Sequence, residues 1–216
     1  MKPLNVSILG IPIPKRMQNL PISKTGYPVP WFVAFYNGDW DFRVIGPGKV
    51  ESAVKRKLCW LCGQPLGVHQ VFTIGPMCTV NRVSAEPPSH LECADYAARA
   101  CPFLTKPKMR RNEADMPEGH QEPAGVMIRR NPGVTALWVT RKYQPFRAGD
   151  GVLFEIGEPE RVQWFAEGRT ATRAEVMASI SSGMPFLEKE AMAEGKIAME
   201  ELARCFTRSQ SLLPSA

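Results

Sequence analysis

Cys59-Trp60-Leu61-Cys62-Gly63 and Pro87-Pro88-Ser89-His90-Leu91-Glu92-Cys93 each carry a pair of metal-ligand-type side chains at short spacing. In the first, two thiolates three residues apart in a tight turn can both reach one cation, and the glycine relieves the turn sterically. A C-x-x-C pair also serves redox chemistry. That use places it at a helix N-terminus after a strand, and neither the Lys-rich segment before Cys59 nor Gln64-Pro65 after Cys62 fits. In the second stretch, Ser89 and Glu92 read as a capping box, and the two prolines bar an earlier start, so a helix is expected to begin with His90 as its first residue. His90 and Cys93 then stand at i and i+3, adjacent on one face, where two side chains can share an ion. Together the four residues predict one closed, tetrahedral, structural Zn2+ site: Cys59, Cys62, His90 and Cys93.

The remaining cysteines bear on that assignment. Cys101 lies eight residues after Cys93, about 12 Å along a helix, too far to share an ion bound at about 2.3 Å, and is expected to be buried. Cys78 falls between the two halves of the site, where Phe72 to Gly75 reads as one arm of a hairpin, and it is the alternative to His90 as fourth ligand. The order knuckle, hairpin, then a helix whose first turn carries the last two ligands resembles a treble-clef zinc finger over about residues 58–101. The longer string from Cys59 to Cys101, with Gly75-Pro76-Met77-Cys78 and Val80 to Glu86 between, is also similar to a set of bacterial and phage-borne proteins. That likeness implies no established activity.

Many treble clefs carry nuclease chemistry, so the resemblance raises the HNH endonucleases as an alternative. There, a hairpin histidine activates water, an asparagine orients it, and a helical residue helps to hold a divalent ion on the scissile phosphate. His69 and Asn81 lie in the right order between the zinc half-sites. The departures are Val68 before His69, where an acidic residue or histidine is usual, and Ala94 after the last zinc ligand. The chain has three histidines, with His90 on zinc and His120 in a linker, so no second imidazole serves a catalytic ion. No nucleophile motif is present, and Gly46-Pro47-Gly48-Lys49 lacks the length and the following Ser or Thr of a phosphate-binding loop.

Composition sets outer bounds. At 44% hydrophobic and 22% charged residues the chain is an ordinary globular sequence rather than a disordered one. No apolar run reaches the eighteen or so residues needed to span a membrane, and prolines interrupt any signal-like apolar core near the N-terminus. The protein is therefore expected in the cytoplasm, where six cysteines read as metal ligands or buried thiols. The formal charge of +6 is compatible with a DNA or RNA partner. Basic clusters at Lys55 to Lys57, Lys106 to Arg111, Arg129-Arg130 and Arg141-Lys142, with Trp60, Trp138 and Tyr143 nearby in sequence, would make such a surface if they converged. The proline-rich first thirty residues and a mixed-charge linker could instead order on a protein partner.

Outside the metal module, residues 1–28 are proline-rich and irregular. Trp31 to Tyr36 and Asp41 to Ile45 flank Asn37-Gly38, a strong hairpin signal, and Lys49 to Lys57 reads as a short helix. Residues 105–125 lack apolar periodicity and divide the chain into 1–104, a linker or long loop, and 126–216. Beyond the linker, Val126 to Arg130, Val134 to Thr140, Val152 to Ile156 and Val162 to Ala166 predict a small antiparallel sheet. Two helices follow. The first is capped by Thr172-x-x-Glu175 and stops at Gly183, and the second opens at Pro185 with Gly195 as a possible break. Cys205 on the last helix is read as core. The expectation is thus an α+β protein: an N-terminal β-hairpin, a treble-clef module, a small antiparallel sheet and C-terminal helices. Its role reads as a zinc-stabilised binding or accessory protein, with the nuclease and a protein-interaction adaptor as alternatives. Nothing specifies an oligomeric state.

Overall fold

In a computed structural model describing residues 3–107, 109–116, 123–125 and 131–215, two short 3-10 turns (Val6–Ile8 and Lys15–Met17) precede the expected hairpin, β1 (Val33–Tyr36) and β2 (Asp39–Ile45). Asn37 and Gly38 turn the chain with positive φ at both positions (47° and 77°), the conformation that twists two strands into register, so Tyr36 faces Asp39. The next elements are α1 (Lys49–Arg56), β3 (Gln70–Ile74), α2 (Pro76–Asn81), β4 (Val83–Ser84), α3 (Leu91–Ala100) and α4 (Pro102–Thr105). The later strands are β5 (Thr135–Thr140), β6 (Tyr143–Ala148), β7 (Gly151–Ile156), β8 (Arg161–Ala166) and β9 (Arg169–Thr170). Helices α5 (Arg173–Glu194) and α6 (Lys196–Ser209) close the chain. The architecture is mixed α and β with antiparallel sheets and C-terminal helices, as the sequence predicts.

Two sheets follow the hairpin, one ordered β3-β5-β8-β9 and the other β4-β7-β6. Each draws a strand from before residue 105 and others from after residue 131. Strand β5 is buried on both faces, which its alternation explains. Leu137 and Val139, with Val71 and Phe165, pack under Ala94 and Ala98 of α3. Ala136 and Trp138, with Phe72 and Trp164, face α2, α5 and the second sheet through Met77, Val80, Val176, Ile180 and Phe154. Trp138 is fully buried and its indole N–H still finds the Gly157 carbonyl at 2.9 Å, which removes the penalty of an orphaned donor. Cys205 belongs to this core.

Three local expectations change. Phe72 to Gly75 is not one arm of a hairpin within the metal module: β3 pairs with β5, in the register Phe72 to Trp138, because a long apolar strand gains more by joining a buried sheet than a two-stranded ribbon. Gly183 does not end a helix, and Pro185 does not begin one; α5 runs through both. The reason for the glycine is close approach, since a Cβ there would lie 2.7 Å from the Met77 sulfur. Gly195, with φ of 105°, is the actual break, and Thr172 with Glu175 forms the predicted reciprocal cap. The expected strand Val126 to Arg130 and the linker residue His120 lie outside the described residues.

Candidate metal centre

The knuckle is held by its own backbone before any side chain is considered. Cys59 N–H donates to Gln64 O at 2.8 Å, Gly63 N–H returns to Cys59 O at 2.9 Å, and Leu66 N–H reaches Lys57 O at 2.8 Å. Gly63 has φ of 72°, and a Cβ there would lie 2.5 Å from the Trp31 ring, so glycine is needed for both conformation and space. The second half of the site is tied on by Trp60 N–H to Pro88 O at 3.1 Å and by a reciprocal Val71–Ser89 pair at 2.9 and 2.8 Å. Strand β3 thereby anchors the start of α3 beside the knuckle.

His90 is the N-cap of α3 rather than its first helical residue. The predicted Ser89–Glu92 box does not form: the Ser89 backbone bonds to β3, and Glu92 accepts from Arg16 Nε at 2.8 Å. The spacing argument for the ligands survives this one-residue difference, since an N-cap and the third helical residue still project to the same side.

Cys59, Cys62, His90 and Cys93 come together as a buried cluster whose ligand atoms all lie within 4.8 Å of one another. Cys62 Sγ is 3.4 Å and Cys93 Sγ 4.0 Å from His90 Nδ1. A tetrahedral zinc with bonds of about 2.3 Å to sulfur and 2.05 Å to nitrogen requires sulfur–nitrogen edges of about 3.5 Å and sulfur–sulfur edges of about 3.8 Å. The 3.4 Å edge meets the sulfur–nitrogen dimension and the 4.0 Å edge exceeds it by about 0.5 Å, and the cluster could hold a metal ion. The orientation of the imidazole agrees: Nε2 donates to the Pro65 carbonyl at 3.0 Å, so Nδ1 is the ring nitrogen that faces the sulfurs and becomes a ligand once its proton leaves. Cys59 Sγ also accepts the N–H groups of Cys62 and His90, each at 3.4 Å.

With protons alone the cluster shares them unevenly among its four side chains. Hydrogen bonds from the Cys62 and Cys93 thiols hold Cys59 far below the usual thiol range, while the bonds Cys93 makes to Cys59 and Cys62 hold its own proton on. His90 is pushed up to about 10, first by its bonds to Cys59 and Cys62. A divalent cation replaces these shared protons with one central charge.

Around the centre packs a separate apolar cluster. Ile8, Met17, Leu61, Tyr96 and Ala100 enclose the ligands, with Leu4, Ile11, Ile13 and Leu20 against them, so the proline-rich N-terminus wraps the metal module. Phe32 stacks on Trp60 at 4.6 Å, linking it to the hairpin.

The other candidates fall elsewhere. Cys78 lies on α2 and packs against the main core, where burial pushes its thiol up to about 11, and it is not among the clustered ligands. Cys101 is the C-cap of α3 and is half-buried rather than fully buried. His69 and Asn81 are not brought together: Asn81 Oδ1 accepts Val83 N–H at 3.0 Å, whereas His69 Nε2 lies 3.2 Å from Glu160 Oε2. Arg141 bonds to the other oxygen of that carboxylate. The His69–Glu160–Arg141 group joins residues from three separate stretches, and no local spacing signals it. Among the basic clusters, Arg111 donates to Arg43 O at 3.0 Å; Lys108, Arg129 and Arg130 lie outside the described residues. No helix among the described residues is long and apolar enough to cross a membrane. Comparison with protein-family models, curated proteins and solved structures gives no match.

Proposed function

We propose that this chain is a zinc-stabilised binding protein, in which Cys59, Cys62, His90 and Cys93 hold one Zn2+ that ties the knuckle to the start of α3. The observation that carries this reading is the convergence of three buried sulfurs and one oriented imidazole nitrogen within 4.8 Å. Four protein donors close the coordination sphere and leave no position for a reacting water, which supports a structural ion. A sulfur-rich donor set favours zinc over magnesium or calcium, which take oxygen ligands. Knuckle ligands followed by a pair at a helix start also keep the ligand order of a treble clef. The ion's work is to fix the surface formed where α3 meets the ends of β3, β5 and β8.

Metal analysis of the purified protein tests this reading. One zinc per chain, lost in Cys59→Ser together with thermal stability, is the expected result. A metal-free wild-type protein that melts with the same midpoint as Cys59→Ser would overturn it.

A further inference from the structure

Between the metal centre and the strand ends lies a cleft of about 510 Å³, within the range of small-ligand sites. Arg16, His69, His90, Glu92, Glu160 and Arg161 line it, with Gly67, Val68, Leu91 and Val139. We propose that this cleft binds a phosphate group, with the Arg161 guanidinium as its principal contact; the location rests on the metal reading, because the ion fixes the wall that carries His90 to Glu92.

The argument comes from the charges. Both carboxylates in the cleft are already neutralised. Glu92 accepts from Arg16 Nε at 2.8 Å, and Arg16 is braced by Gln64 Oε1 at 3.1 Å. Glu160 is held between Arg141 and His69, the latter at 3.2 Å. Arg161 stands apart: its side chain makes no hydrogen bond or ion pair among the described residues. It is set in place by β8, whose register puts Arg161 opposite Val139, itself part of the lining. Two guanidinia, Arg16 and Arg161, line the cleft, and a third, Arg141, binds Glu160 from beside it, so the lining guanidinium left without a partner among the described residues offers the planar fork suited to a phosphate.

A carboxylate ligand would satisfy Arg161 alone. A phosphate has further oxygens that the other donors of the lining, Arg16 and His69, can share, so the lining favours phosphate. The phosphate could arrive as a small ester or as part of a nucleic-acid strand. Both present the same group to Arg161.

Titrations of the zinc-loaded full chain with inorganic phosphate, a nucleoside 5′-monophosphate, a short single-stranded oligonucleotide and acetate test the proposal, read from the His69 imidazole resonances. Saturable shifts with phosphate and weaker ones with acetate are expected. Arg161→Ala should weaken phosphate binding by about tenfold or more, and Arg161→Lys by less, because lysine keeps the charge but not the fork. Tighter binding of the monophosphate identifies a small ester as the source. Tighter, salt-dependent binding of the oligonucleotide identifies a strand. Zinc content and melting of Arg161→Ala should match the wild type. Absence of any shift at millimolar phosphate, equal response to acetate, or an Arg161→Ala protein that binds as well as wild type would overturn the proposal. A wild-type protein without zinc that still binds phosphate through Arg161 would sink the metal reading alone.

Discussion

Lowering the pH should release the metal steeply, and the cluster sets how steeply. In the metal-free cluster His90, raised to about 10, keeps its proton at neutral pH, and Cys93, raised by its bonds to Cys59 and Cys62, keeps its own. Both must leave when the ion binds, because only the thiolate and the neutral imidazole are ligands. The sign follows: the metal-free state binds more protons than the metal-bound state, so acid favours release and base favours binding. Each displaced proton makes the apparent dissociation constant rise about tenfold, roughly 1.4 kcal/mol, for each unit of pH lost, so two or more make it rise about a hundredfold or more. Competition against a chromophoric zinc chelator at several pH values between about 6 and 8 gives the slope directly. A slope of two or more is expected. A slope near zero or one would refute the picture of shared protons among four converging ligands.

Two further outcomes test the fold that carries the site. Thr172→Ala should cost about 1 kcal/mol in urea unfolding, as the loss of an N-cap does. Its partner Glu175 is held at about 2, chiefly by Arg169 and then by Thr172 N–H, so the stability this carboxylate contributes is fully present above about 4.5 and is lost as pH falls toward 2; unfolding free energies of the wild type and Glu175→Gln that differ equally at pH 2 and 6 would contradict it. Gly183→Val places a branched side chain where even a Cβ lies 2.7 Å from the Met77 sulfur. Overpacking of this kind should destabilise by about 1–3 kcal/mol, and a smaller residue at position 77 should recover part of it. Unchanged stability would mean that α2 and α5 do not meet there.

The features legible in the sequence are those whose cause is local. Asn37-Gly38 sets its own turn, Thr172 and Glu175 cap each other three residues apart, and the two short ligand spacings, Cys59 to Cys62 and His90 to Cys93, each bring a pair into the one cluster. The His90–Cys93 pair was legible for that reason, although the capping residue was misplaced by one, because Glu92 is taken by Arg16 from the N-terminal wrap. What the sequence hides depends on distant partners. Nothing near Phe72 specifies that β3 pairs with β5. Strand β6 escapes pattern reading because it is an edge strand, mostly exposed, with Pro145 inside it. Gly183 and Pro185 carry the local signals of a helix end and a helix start, and tertiary packing on Met77 overrides the first. The His69–Glu160–Arg141 group is assembled only when β3, β5 and the turn before β8 align.

X-ray absorption at the zinc edge of the purified protein reads the coordination shell itself. The cluster predicts a first shell of three sulfurs at about 2.3 Å and one nitrogen at about 2.0–2.1 Å, with a histidine outer-shell signature that disappears in His90→Ala. A shell dominated by oxygen, a fourth sulfur in place of the imidazole, or a spectrum unaltered by His90→Ala would contradict it.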